Sequence, residues 1–260
     1  MNTIKQLTKT IPELESMKKY PKEIFYIGNL ELLKRKKVSI VGSRKPTQYS
    51  RQNTSYLAKK LSLNGIVVVS GAAMGVDAIA HNSAGAQNTI AVAGNGLDIR
   101  YPTINNKLIQ SIEQEGLMLS QFKSGTPSIY YNFPIRNECV VALGDILIVT
   151  HADIDSGTMR SVEYALKMGK EIFVLPHRIG ESEGTNKLLA NNQAKAIYNI
   201  DEFINNLSSC TDDCGVEDNF LIYCKTNPTY DEAMDKYPAE VFEYELSGKI
   251  LVENGLVSVV

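Results

Sequence analysis

Cysteine is scarce in this chain of 260 residues: Cys139, Cys210, Cys214 and Cys224 are all it has. They are too few and too unevenly spaced for a disulfide framework. Cys210 and Cys214 form a close pair, but zinc needs about two further ligands, and His81, His151 and His177 lie elsewhere in the sequence. Reduced thiols in or near a linker are the expectation. Long apolar runs are missing too. None approaches the ~20 residues that span a bilayer, and the stretch from Met1 to Lys19 is polar, without a signal-peptide core. A cytoplasmic location and no membrane contact follow as expectations.

The signatures of nucleotide chemistry are also absent. Gly42 stands alone where a dinucleotide fold carries G-x-G-x-x-G, and Ser70-Gly71 occupies the place of the ribose-binding acid. No G-x-x-x-x-G-K-[ST] occurs, which excludes a P-loop ATPase. No cofactor and no metal are expected. Net charge is only −2, yet its distribution is uneven: residues 1–48 carry +7, residues 49–200 carry +1 and residues 201–260 carry −10. A basic front and an acidic tail permit a local positive field despite the balance.

What is present is a repeated plan. Val38-Ser39-Ile40-Val41 stops at Gly42 and is followed by Ser43, Arg44 and Lys45. Ile66–Val69, Ile90–Ala93 and Ile146–Val149 likewise end in small or hydroxyl residues. The β-branched runs lack alternation, as strands buried on both faces do, and helical segments alternate with them. This pattern specifies an α/β fold, a parallel sheet with helices on both faces. Expected boundaries are a lead-in over 1–36, with a short helix over Glu23–Leu33, a Rossmann-like domain over 37–207, a polar linker over 208–218 and a small domain over 219–260. In the last, short helices precede a hairpin turning at Asn254-Gly255, the order of a winged helix. Thr103 is the expected N-cap of the helix that runs to about Glu115. Lys34-Arg35-Lys36-Lys37 reads as a solvated strand entry more than as a DNA contact.

In an open parallel sheet all these strand ends share one edge, where ligands bind. Ser43, Ser70, Ser156 and Thr158 bring hydroxyls there, Gly71, Gly75 and Gly157 expose backbone N–H groups, and Arg44, Lys45 and Arg136 add charge. Helices starting near residues 48, 75 and 157 aim positive dipole ends the same way. Any one loop needs small residues simply to close a βα turn; the four together make a phosphate-binding surface wider than one nucleotide requires. Tyr130, Tyr131 and Phe133 lie in a long loop over 121–133. They suit base stacking, or else anchor the loop in the core. Single-stranded DNA is the ligand class this combination fits.

The same residues carry a family likeness. Val41-Gly-Ser-Arg44, Ser70-Gly-Ala-Ala-Met-Gly-Val-Asp77 with Ala80-His81, Tyr101-Pro102, Asn132-Phe-Pro-x-Arg136-Asn137, Ser156-Gly-Thr158 with Ala165, and Gly184-Thr-Asn186 run in order from about residue 38 to 190. In these the chain resembles the DprA family, also called Smf. The resemblance implies an extended Rossmann-like domain that binds single-stranded DNA without catalysis, homodimerises, and protects incoming strands while loading RecA in natural transformation. It implies DNA contacts at Ser43, Arg44, Gly71, Phe133, Arg136, Asn137, Ser156, Gly157 and Thr158, beside which the charge of Lys45 is placed. Glu138 stands where the family often has a second Arg. No helix-hairpin or SAM-like domain fits into residues 1–36. The acidic tail, repelled by phosphate, suits a protein-interaction or dimer-supporting role better than DNA contact.

A second class stays in view. A related Rossmann-like group cleaves nucleoside monophosphates with a P-G-G-x-G-T-x-x-E loop, and Asp155-Ser-Gly-Thr-Met-Arg-Ser-Val-Glu163 occupies a similar place. The paired glycines are missing and the Glu is displaced, so Glu163 reads first as a surface or ion-pair residue. His81 follows Asp77 at i, i+4, the spacing of a helix-face contact.

Overall fold

A computed structural model of the chain describes residues 3–209, 219–224, 226–246, 248–253 and 255–259. It divides into two compact units, Met1–Asn205 and Asn206–Val260. The larger unit contains β1 (Lys5–Gln6), β2 (Phe25–Gly28), β3 (Lys37–Val41), α1 (Gln48–Leu63), β4 (Val67–Ser70), α2 (Val76–Ala84), β5 (Thr89–Ala93), α3 (Asn106–Glu115) and β6 (Leu117–Ser120). It continues with α4 (Asn132–Leu143), β7 (Ile146–Val149), α5 (Gly157–Lys167), β8 (Ile172–Val174), α6 (Glu183–Ala190) and β9 (Lys195–Ala196), after which α7 (Ile200–Ser209) begins.

Among the described residues, nine strands join in one sheet in the order β1-β2-β6-β5-β4-β3-β7-β8-β9. From β6 to β9 every pairing is parallel, whereas β1 and β2 add on antiparallel. The runs without alternation belong to strands covered twice, as expected. Val67, Val69, Ile90, Val92, Leu147 and Val149 face α4 and α5. The intervening Ala91, Ala93 and Met118 face Ile109 and Ile112 of α3. After β3 the chain builds β4, β5 and β6 to one side, then returns to place β7 against β3's other edge, with Ile40 opposite Ile148. The order reverses between β3 and β7. At such a reversal the two loops leaving the strand ends diverge and open a crevice.

Three expectations need correction. Residues 23–33 do not form one helix: Phe25–Gly28 is a strand and Leu30–Lys34 a 3₁₀ turn. A short apolar run is ambiguous between the two states, and the sheet edge decides it, with Phe25 opposite Ser120 and Gly28 opposite Leu117. The lead-in is therefore part of the sheet unit and not a segment apart; its Ile11, Leu14, Met17 and Ile24 join the core. Thr103 caps no helix. It opens a 3₁₀ turn, Thr103–Asn105, and α3 starts after Asn105.

The smaller unit holds, among the described residues, α8 (Asn219–Cys224), α9 (Tyr230–Lys236), α10 (Pro238–Leu246) and the hairpin of β10 (Ile250–Glu253) with β11 (Leu256–Val259). Phe220, Cys224, Ala233, Val241, Ile250 and Val257 form its core. Thr229 and Glu232 form a capping box that starts α9. Helices followed by a hairpin give the element order of a winged helix. Of the expected linker over 208–218, the part from residue 210 lies outside the described residues, as does Asn254 of the hairpin turn.

Candidate nucleic-acid interface

The loop that leaves β3 is clamped from two sides at the switch point. The Ser43 N–H donates to the carbonyl of His151, just beyond β7, at 2.8 Å, and the Ser43 carbonyl accepts from the Val76 N–H at the start of α2 at 3.1 Å. Gly42 is needed for this approach, since a Cβ there would come within 2.6 Å of Val76 Cγ2. Gly75, at φ +81°, passes so close to the loop that a Cβ would lie 2.6 Å from Arg44 Cα. With its backbone fixed, the loop presents the Ser43 hydroxyl and an exposed Arg44 side chain.

Arg136 comes from the first turns of α4 and is buried at 4% exposure. Its Nη1 donates to the Val92 carbonyl at 3.2 Å and lies 4.0 Å from Asp77 Oδ2. Asp77 in turn accepts from the N–H groups of Gly71 (3.2 Å) and Ala73 (3.4 Å). Burial pushes the Asp77 carboxyl up, against the pull of Arg136. Burial likewise pushes the Arg136 guanidinium down, against the pull of Asp77 and with the repulsion of Arg44 added. At this separation the attraction offsets only part of the desolvation. Among the described residues, the buried Nε of Arg136 has no hydrogen-bond partner. The Arg136 guanidinium thus keeps one buried donor unsatisfied beside a carboxylate that it faces only at 4.0 Å.

Phe133, one helical turn before Arg136, sits under both cations. Arg44 Cζ is 5.6 Å and Arg136 Cζ 6.0 Å from its ring centroid. The ring rests on Gly94, where a Cβ would meet Phe133 Cδ1 at 3.0 Å. The N-terminus of α5 closes the far side. Ser156 Oγ is buried there with no partner among the described residues, and the space above Gly157 is open. Together these loops bound a groove of about 370 Å³.

Of the residues singled out in the sequence, Ser43, Arg44, Tyr130, Phe133, Arg136, Asn137, Ser156, Gly157 and Thr158 line this groove. Gly71 lines a small crevice beside it that shares Arg44, Phe133 and Arg136. Lys45 lines neither; its N–H donates to Ser43 Oγ at 3.1 Å and its side chain is exposed. Tyr130 and Tyr131 are 71% and 76% exposed and so do not anchor the loop in the core. Asp77, Arg160 and Ser161 also line the groove, and Tyr101 the crevice. In the sequence Asp77 is legible only as part of a motif and as the i, i+4 neighbour of His81, and Tyr101 only as part of a motif.

The remaining expectations resolve locally. His81 does not pair with Asp77: its Nδ1 is 2.6 Å from Thr89 Oγ1, and its Nε2 accepts from the Ala72 N–H at 3.3 Å. Of the basic run, Lys34 is solvated as expected, in a surface pair with Glu31 (2.7 Å), Arg35 donates to the Gly65 carbonyl (2.8 Å), and Lys37, the first residue of β3, is buried on Glu13 (2.6 Å). Glu138 accepts from the Lys18 N–H at 2.8 Å. It ties α4 to the N-terminal segment and is not among the residues that line the groove.

These features define an α/β protein with a cationic, aromatic-floored groove at its topological switch point. By family the chain belongs to the DprA/Smf proteins: the model of DNA recombination-mediator protein A matches residues 3–208. It is 38% identical over 174 residues to the DNA processing protein DprA of Streptococcus pneumoniae, covering 65% of this chain and 61% of that one. It is 35% identical over 183 residues to protein Smf of Escherichia coli, covering 68% and 49%. The chain thus spans about half to three-fifths of the length of these curated relatives. Among solved structures, DNA processing protein A from Helicobacter pylori, described for its single-stranded DNA binding mode, matches with TM-score 0.77 and 43% identity over 80% of this chain and 98% of that one. The protein from S. pneumoniae matches with TM-score 0.70 and 34% identity, covering 75% and 71%.

Proposed function

We propose that this chain binds single-stranded DNA in the groove between the ends of β3 and β7. In this reading it is a non-catalytic recombination mediator that protects incoming strands and loads RecA during natural transformation, as a homodimer in the cytoplasm. The observation that carries the reading is the pairing of two guanidinium groups over one aromatic ring, with a buried Nε of Arg136 left unpartnered. Cations for phosphate and a ring for a base are what a strand without sequence preference requires. Kinship with a protein described for its single-stranded DNA binding mode supports the ligand class. No helix among the described residues is long and apolar enough to cross a membrane.

The nucleotide-cleaving alternative gains no support from the site. Glu163 is exposed on α5 and is not among the residues that bound the groove. Asp77, which does line it, already accepts two backbone N–H groups and faces a guanidinium. We assign the DNA-binding role to residues 37–207 with the preceding strands, and protein contacts to residues 219–260, whose acidic charge repels phosphate. The test is anisotropy of a labelled poly-dT strand titrated at several salt concentrations, with AMP as competitor, followed by RecA assembly on the bound strand. Tight, salt-sensitive binding indifferent to AMP is expected; displacement by low AMP, or release of free base from it, would favour the enzyme.

A further inference from the structure

We propose that Tyr101 extends the groove into a base-stacking ladder, so that the bound strand runs from the α5 N-terminus across Arg44 and Phe133 toward the end of β5. This rests on the single-stranded DNA reading above. The Tyr101 and Phe133 ring centroids are 6.1 Å apart with planes inclined by 27°. The two rings therefore form an offset, near-parallel stacked pair. Tyr101 is 46% exposed, so it offers its outer side to solvent while the Phe133 side is occupied.

The loop that carries Tyr101 is held on both sides of it. Arg100 Nε and Nη2 donate to the nearly buried Glu113 carboxylate of α3 at 2.9 and 2.7 Å. Asn105 Nδ2 donates to the carbonyls of Ala72 and Ala73 at 3.0 and 3.1 Å, which ties the turn to the β4 loop. A ring held this way loses little freedom when a base settles on it.

Size decides where the base goes. The crevice bounded by Gly71, Gly94, Tyr101 and Phe133 measures about 30 Å³, room for about one or two waters by the volume a water needs. A base cannot enter it, and rings with centroids 6.1 Å apart leave too little room for one between them. It stacks on the outer side of Tyr101, while its neighbour's phosphate meets Arg44 and Arg136. Tyr101 then contributes base contact and no charge, which separates it from every cation in the groove.

The experiment compares the parent protein, Tyr101→Ala and Tyr101→Phe on a poly-dT strand and on an abasic strand of equal length, each at several salt concentrations. The expected result is about tenfold weaker binding of poly-dT by Tyr101→Ala, within the range for one lost base stack. Its salt slope should be unchanged and its abasic binding equal to the parent's. Tyr101→Phe should keep parental affinity and should still quench a 2-aminopurine base placed in the strand, as Tyr101→Ala should not. Equal binding of poly-dT by Tyr101→Ala and parent overturns the inference. So does an equal loss on both strands, because Tyr101 would then act on the phosphate contacts. If the parent itself binds neither strand, the DNA-binding reading fails and the ladder falls with it.

Discussion

The guanidinium of Arg136 lies against the backbone of Gly71, where a Cβ would overlap its Nη1. Gly71 is thus required for close approach and not for a special backbone angle. Its N–H donates to Asp77, which faces the same guanidinium, so one glycine lets a β4 loop, an α2 carboxylate and an α4 cation meet. Gly71→Ala should push Arg136 out of place. Overpacking of a buried site costs about 1–3 kcal/mol, and Arg136 is too enclosed to yield freely. A melting temperature lower by several degrees, with single-stranded DNA binding about tenfold weaker, is expected in thermal denaturation and anisotropy. Parental binding would show that Arg136 does not hold the strand.

Arg44 is the exposed counterpart. It is fixed by backbone bonds at Ser43 and by its contact with Phe133, and its charge is open to solvent. Each phosphate contact on a single strand contributes about 0.7 to the slope of log affinity against log salt. Arg44→Ala should reduce that slope by about this amount and weaken binding at low salt more than at high salt. Binding isotherms at four or five salt concentrations measure it, and an unchanged slope would remove Arg44 from the phosphate path.

Much of this was legible in the sequence, for a physical reason. Strand ends in a parallel sheet share one edge, so the small and hydroxyl residues after Val41, Val69 and Val149, with Arg44 and Lys45 after the first, announce that edge without any knowledge of distances. What the sequence hid was set by tertiary contact. Phe25–Gly28 is strand because β6 lies beside it, and its apolar run alone does not choose. Lys37 looked solvated among four basic residues, yet Glu13 and two carbonyls take it into the interior. The coupling of Asp77 to Arg136 crosses from α2 to α4, beyond any local pattern, and Tyr101 gains meaning only from the ring it meets.

Two buried histidines work against the fold in acid. His81 is fully buried and its imidazole is pushed down to about 3 by burial, with the Arg136 charge adding to it. Nε2 accepts from the Ala72 N–H, so Nδ1 carries the hydrogen toward Thr89 Oγ1, which itself donates to the Val68 carbonyl at 3.1 Å. His151, bonded through Nδ1 to Ser50 Oγ at 3.0 Å, is also pushed down, by burial first and by His177 next, with Asp153 and Glu181 opposing. In the unfolded chain a histidine titrates near 6.5. Between that value and the depressed one the unfolded chain binds more protons, so stability rises with pH across the window. The contribution is complete above about pH 6.5 and is lost progressively as pH falls toward 3, at up to about 1.4 kcal/mol per pH unit for His81. Urea midpoints between pH 7 and pH 4 should show this slope, and His81→Gln should flatten it. A parental slope in that variant would place the titration elsewhere.

Asp77 and Arg136 yield the sharpest separation of stability from binding. Both are buried, and both are shifted by burial against their charged forms, so the pair persists because the N–H groups of Gly71 and Ala73 hold the carboxylate and the Val92 carbonyl holds the guanidinium. Removing one partner strands the other charge, at a cost of about 3 kcal/mol in buried pairs. Asp77→Asn and Arg136→Met should each destabilise the fold by roughly this much, and the double variant by clearly less than the sum, because no charge is then left uncompensated. Binding should divide differently. Asp77→Asn keeps the cation and removes a negative charge from the groove, so under conditions where it is folded it should bind single-stranded DNA at least as tightly as the parent. Arg136→Met and the double variant should both bind weakly. Urea unfolding gives the first comparison and anisotropy the second. Additive destabilisation would mean that the two residues do not act as a pair, and loss of binding in Asp77→Asn would make the carboxylate itself part of the DNA contact.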